Sequence, residues 1–290
     1  MTIRRSDVSI AALDFGGVGP AVILLHGLAG SSQEMQPTAA ALSNEFRVIL
    51  IDQRGHGRST RRPADLARKA FVGDVASVIT HLLPGQQVVL VGQSMGAHTA
   101  FLTAAAHPDL VDALVMLEGH PEGKSQPRTA QEIGEYFASW PSPFADTDAA
   151  RSFLGDTPLA AALIEDLEST PLGLRPRFDP DIMQTTIAAV HPPRWQEWES
   201  LPTPTLAVFA ENGLFSDEDK AELIRRRPGT LRADIPGAGH DAHLDAFDLW
   251  IEILLKYLRE TTTGDFRRQM GPVARTQSFS PETIAPTKLT

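Results

Sequence analysis

The chain has 290 residues, 42% of them hydrophobic, a formal net charge of −10 and no cysteine. Such a length and composition suit one large globular domain, or one domain carrying an insertion. The acidic balance excludes a basic nucleic-acid surface, the lack of cysteine excludes disulfides and thiolate metal sites, and no run approaches the ~20 apolar residues of a membrane span. The amino-terminal stretch "MTIRRSDVSIAALDFGG" has no long apolar run of the signal-peptide kind, which gives a cytoplasmic protein as the expectation. Arg61 and Arg62 form a short basic cluster, expected in a solvated loop.

In chain order, the apolar runs "AVILL" (21–25), "RVILID" (47–52), "QVVLVG" (87–92), "ALVML" (113–117) and "TLAVFA" (205–210) read as strands, with weaker candidates at 8–13 and 230–235. Continuous rather than alternating runs suit strands buried on both faces. Between them lie helical patterns such as 65–83, where Leu66, Phe71, Val75, Val78, Ile79 and Leu82 can share a face. This βαβα alternation predicts an α/β fold, a mostly parallel central sheet flanked by helices. Residues 120–199 break the rhythm and are too long for an ordinary connection. Their helical pieces at 129–140, 146–155, 157–170 and 179–190 predict an inserted helical cap over a core formed by 1–119 and 200–260. Residues 261–290 turn polar and read as a tail.

The strongest chemical signal is "VVLVGQSMGAHTAFLTAAA" (88–106), a strand, then Gly92-Gln93-Ser94-Met95-Gly96, then a helix. This is G-x-S-x-G in strand–turn–helix context, which lifts a serine hydroxyl to the top of a sheet and to a helix N-terminus. Ser94 is therefore the candidate nucleophile. With "LLHGLAGSS" (24–32), "IDQRGHGRS" (51–59) and "PGAGHDAHLD" (236–245) in the same order, the chain resembles the α/β-hydrolase superfamily over residues 8 to 260.

That resemblance implies roles. The Leu28 and Met95 amides would form an oxyanion hole, a large catalytic contribution in acyl transfer. His26, Asp52, His56 and Arg58 would be structural. His240 would be the base that takes the serine proton, with His243 as a competitor three residues away. Many family members carry the orienting aspartate after the strand that follows the insertion, but that position here is Gly213, and Asp217 lies four residues further on. Asp217 suits capping of the helix it begins. Other branches place the acid after the strand that follows the nucleophile helix. Glu118 occupies that place, where "ALVML" stops abruptly at a carboxylate. The expected triad is Ser94, His240 and Glu118, with Asp217 as the alternative acid.

A serine with an oxyanion hole implies cleavage of a carboxylic ester or lactone through an acyl-enzyme. A carbon–carbon hydrolase acting on a vinylogous diketone is the nearest alternative, and a non-catalytic ligand-binding protein on this fold is an alternative of another class. No metal-ligand cluster and no dinucleotide fingerprint is present in the sequence, so no cofactor is expected. The expected partner is a small, mainly apolar acyl substrate, with neither nucleic acid nor membrane. A homo-oligomer is compatible with the sequence, which does not fix the oligomeric state. Of the insertion's apolar residues, Phe137, Trp140 and Met183 are the candidates for lining the pocket.

Overall fold

A computed structural model of the protein describes residues 1–5, 7–122 and 129–262. Its centre is an eight-stranded sheet of order β1-β2-β4-β3-β5-β6-β9-β10. The edge strand β1 (Thr2–Arg5) runs antiparallel to β2 (Val8–Gly16), and β2 runs antiparallel to β4 (Arg47–Ile51). The remaining strands are parallel: β3 (Ala21–Leu25), β4, β5 (Val88–Gln93), β6 (Val111–Leu117), β9 (Thr205–Asn212) and β10 (Leu231–Gly239). The expected mostly parallel sheet is thus present.

The apolar runs have a simple cause. Every residue of β3 and β5 is buried, because helices cover both faces of the sheet. Ile23 and Leu25 of β3 enter one core with α2 (Arg68–Leu82) and α3 (Met95–Ala106). Val22 and Leu24 enter the other, with α1 (Gln36–Leu42) and α11 (Phe247–Thr262). Trp250 of α11 is fully buried in that second core, and its indole N–H donates to Thr38 Oγ1 at 3.1 Å. Helix α11 runs two residues into the expected tail, whose remaining residues, 263–290, lie outside the described residues.

The segment between β6 and β9 carries α4 (Ala130–Ala138), α5 (Thr147–Leu154), α6 (Pro158–Glu165), α7 (Pro180–Val190) and α8 (Trp195–Glu199). The first three start at side-chain caps. Thr129 and Glu132 close a capping box, Asp146 accepts from Ala149 N–H, and Thr157 accepts from Ala160 N–H. One expectation needs correcting, because the piece at 157–170 is helical only to Glu165. Its end forms β7 (Glu168–Thr170), paired antiparallel with β8 (Gly173–Arg175). Pro171 cannot continue a helix, and Thr170 Oγ1 accepts the Leu172 N–H to close the turn.

Arg61 is half-buried, contrary to expectation, while Arg62 is exposed in its loop as expected. They fasten the loop after β4 to the start of α7, where Asp179 accepts from both and Asp181 accepts from Arg62. Arg61 in addition donates to the Pro176 and Phe178 carbonyls. A half-buried arginine with three acceptors is a structural tie between β4 and α7, whereas the exposed Arg62 pair contributes little.

Candidate active site

The parallel strands deliver their carboxyl ends to one edge of the sheet, and the candidate residues follow those ends. Ser94 stands between β5 and α3 with φ 52° and ψ −117°, a left-handed conformation that a non-glycine residue holds only at a cost of ~1–3 kcal/mol. The turn is fixed by close packing, since a Cβ on Gly96 would sit 2.2 Å from the Leu25 carbonyl oxygen. The Ser94 amide donates to the Leu117 carbonyl at 2.9 Å. Met95 is the first residue of α3, so its N–H belongs to the donors a helix leaves unpaired at its start. Behind it, the buried Arg68 reaches the Met95 carbonyl at 3.5 Å and the Thr99 hydroxyl.

His240 follows β10. Its Nδ1 lies 3.1 Å from Glu118 Oε2, and its carbonyl accepts from the side-chain amide of Gln93, the residue before Ser94. The Glu118 side chain is completely buried, whereas that of His240 is 25% exposed, so the pair points from the core toward open space. With Nδ1–H donating to the carboxylate, Nε2 is left as the acceptor a nucleophile's proton needs. Glu118 also has a positive φ, 49°, and its carboxylate accepts from Ala210 N–H and Leu214 N–H, both at 2.8 Å. Three donors therefore hold the buried carboxylate in place.

Gly213 stands where many relatives of this fold would carry an aspartate. A Cβ there would lie 2.3 Å from Glu118 Oε2. The carboxylate of Glu118 fills the space that an aspartate at 213 would need, so the glycine and the glutamate are two parts of one arrangement. Asp217 is exposed in the first turn of α9 (Asp217–Arg226). It is not the helix cap either, for Ser216 caps α9 with Asp219 closing the box.

His26, His56 and His243 are buried. His243 is fully buried, and burial, with His240 adding, holds its imidazole down to about 3. His56 is likewise held down to about 3 by burial, with His26 adding. His26 Nε2 accepts the Gln53 N–H at 2.9 Å and its Nδ1 lies 2.7 Å from the Gly27 carbonyl, which fixes the start of the 26–30 loop. Asp52 orders the neighbouring loop by accepting from Ser32 N–H and Arg58 N–H. Arg58 itself bridges to Asp166 at the end of α6.

Ser94, His240 and Leu28 line one cavity of about 450 Å³. Phe137 and Trp140 line it as well, together with Ile133, Leu159, Leu163, Ile187 and Leu214, so its walls are mainly apolar. Met183 does not. It is fully buried against Trp140, Phe178 and Ile182 in the packing of the β6–β9 segment, on a helix whose neighbouring turn supplies Ile187 to the cavity. Three polar lining residues were not foreseen: Glu34, Gln93 and Asp241. Burial raises the Asp241 carboxyl above its ordinary value, opposed by the adjacent His240. Among the described residues no cluster of His, Asp and Glu could hold a metal ion, and no helix is long and apolar enough to cross a membrane.

A model of the α/β-hydrolase fold matches residues 20–247, and the chain belongs to that family. It is 29% identical over 247 residues to a 2-(acetamidomethylene)succinate hydrolase of Mesorhizobium japonicum, covering 82% of this chain and 88% of that one. It is 28% identical over 277 residues to the mouse (Mus musculus) sn-1-specific diacylglycerol lipase ABHD11, covering 88% and 86%. The crystal structure of E-2-(acetamidomethylene)succinate hydrolase superposes with a TM-score of 0.80 at 25% identity, covering 89% of this chain and all of that one. The relatives are hydrolases by name, and this chain is accordingly a hydrolase of that family.

Proposed function

We propose that the protein is a serine hydrolase that cleaves an uncharged, mainly apolar carboxylic ester or lactone through an acyl-enzyme. Ser94 Oγ attacks the carbonyl carbon while His240 Nε2 takes its proton. Glu118 holds the imidazole in the required tautomer and stabilises its positive charge. The Leu28 and Met95 amides receive the oxyanion. His240 then returns the proton to the leaving oxygen, and water attacks the acyl-enzyme by the same steps in reverse. In this reading 1–119 and 200–260 are the catalytic core, and 120–199 forms the cap that supplies the acyl pocket.

One observation carries the reading: the Ser94 elbow and the buried Glu118–His240 pair open onto a single apolar cavity. The composition of that cavity supports the substrate class. Its described lining is mainly apolar and holds no lysine or arginine to pair with a dicarboxylate such as the one named for the Mesorhizobium relative, which suits an uncharged acyl group better. The mouse relative is by its name a lipase, which agrees with ester cleavage.

A panel of p-nitrophenyl esters from acetate to decanoate, with simple lactones and one vinylogous diketone, tests the proposal. The expected result is turnover of medium-chain esters above acetate, abolished in Ser94→Ala. Turnover of the diketone alone would replace ester cleavage by carbon–carbon cleavage. No turnover of any member by folded protein would leave the non-catalytic reading.

A further inference from the structure

Glu34 is a polar group of the cavity for which the triad has no use. It sits in the turn before α1, only 4% exposed, and still lines the cavity beside Leu28 and Ser94. Its Oε1 accepts the Gly27 N–H at 2.9 Å. The 27–30 loop wraps around the same carboxyl so tightly that a Cβ on Gly30 would lie 2.1 Å from Oε2. Within that loop Ala29 holds a φ of 62°, a left-handed conformation that costs a non-glycine residue free energy. A strained loop persists only where its surroundings determine it, and the Glu34 carboxyl is the buried group it closes on.

We propose that Glu34 is the positioning residue of the oxyanion loop, its carboxyl clasping the Gly27 amide and so aiming the next amide, that of Leu28, over Ser94. The proposal rests on the reading of Ser94 as nucleophile. The Leu28 N–H lies in the next peptide plane, whose Gly27 carbonyl is held by His26 Nδ1 at 2.7 Å and by the Gly30 N–H at 3.3 Å, so the clasp on the Gly27 N–H fixes the remaining side of the same glycine. An oxyanion donor contributes only when it is already in place as charge develops, and the clasp supplies that placement.

The surroundings of Glu34 add a pH dependence. Burial pushes its carboxyl up to about 8, the Gly27 amide opposes this, and Asp241, Asp166 and Asp52 add to it. These three come from the turn after β10, the end of α6 and the end of β4, and Asp166 is itself paired with Arg58 and Arg177. Near neutral pH the clasp is therefore a neutral acid. Above about pH 8 it becomes an anion beside the place where the oxyanion forms, and turnover falls.

The test is the rate at which a fluorophosphonate modifies Ser94, read by intact mass from neutral to alkaline pH. In Glu34→Ala the rate should fall by about tenfold or more, the scale of a misplaced oxyanion donor. Glu34→Gln keeps an acceptor for Gly27 and cannot ionise, so it should restore most of the rate and lose the alkaline decline. A Glu34→Ala rate equal to wild type, or a wild-type alkaline decline retained in Glu34→Gln, overturns the clasp alone. If wild-type Ser94 is not modified at all, the nucleophile reading falls and the clasp with it. Should Glu34→Ala not fold, the alkaline limb of Glu34→Gln decides by itself.

Discussion

Gly213→Ala adds a single methyl group and should disable the site. The new Cβ would stand 2.3 Å from Oε2, 2.4 Å from Oε1 and 2.5 Å from Cδ of Glu118. Ordinary contacts to a methyl lie near ~3.5 Å, so about 1 Å of displacement is required. The carboxylate cannot move freely, because Ala210 N–H and Leu214 N–H hold it at 2.8 Å on both oxygens. A shift of that size stretches the 3.1 Å contact to His240 Nδ1 beyond hydrogen-bond range. Losing the group that orients the base costs up to ~10⁴-fold in kcat, so a fall of about 10²–10⁴, or ~3–5 kcal/mol of barrier, is expected. The assay is ester turnover in a double-mutant cycle with Glu118→Ala. Glu118→Ala vacates the space, so Gly213→Ala should cost almost nothing in that background. Wild-type kcat in Gly213→Ala, or equal costs in the two backgrounds, would refute the claim that the two positions are one arrangement.

Other perturbations separate the roles. Glu118→Gln should lower kcat by about 10²-fold or more while Asp217→Asn stays within about twofold, and the reverse ranking would move the acid to α9. His243 is held down to about 3 by burial, so its contribution to stability is present in full above the ordinary histidine range and is lost as pH falls toward 3. Urea unfolding of His243→Leu from neutral to acid pH should lack part of that loss, up to ~4 kcal/mol, and a curve parallel to wild type would contradict it. Glu34 has the opposite sign. With its carboxyl raised to about 8, its contribution is complete below the ordinary carboxylate range and shrinks as pH rises to about 8. Glu34→Gln should therefore gain on wild type by a few (~2–4) kcal/mol between mildly acid and mildly alkaline pH, and a constant difference would oppose that account.

The sheet was legible because strands covered on both faces must be mainly apolar: β3 is so throughout, β5 up to its final Gln93, and β6 apart from Asp112. The edge strand β1 reads "TIRR", where only Ile3 is buried, so no hydrophobic run announces it. The β7–β8 hairpin hid behind the helix formers of α6 and showed itself only in Pro171 and Gly173. The contact between Glu118 and His240 was legible because two positions spoke together: an acid ending an apolar run, and a glycine where an acid was due. Glu34 left no such sign. It stands in the polar stretch "GSSQEM", and its burial arises only when the 27–30 loop folds over it. Arg61 and Arg62 looked solvated because their acceptors lie more than 100 residues away in sequence. Met183 departs from expectation because an apolar residue in a helical insertion is marked for burial by its chemistry, which does not say whether core or cavity lies beneath it.

An activated Ser94 is read by intact mass spectrometry after incubation with a fluorophosphonate. One covalent adduct is expected on the wild-type protein, located at Ser94 and absent from Ser94→Ala. An adduct that persists in Ser94→Ala, or no adduct with even the smallest phosphonate on folded protein, would contradict it.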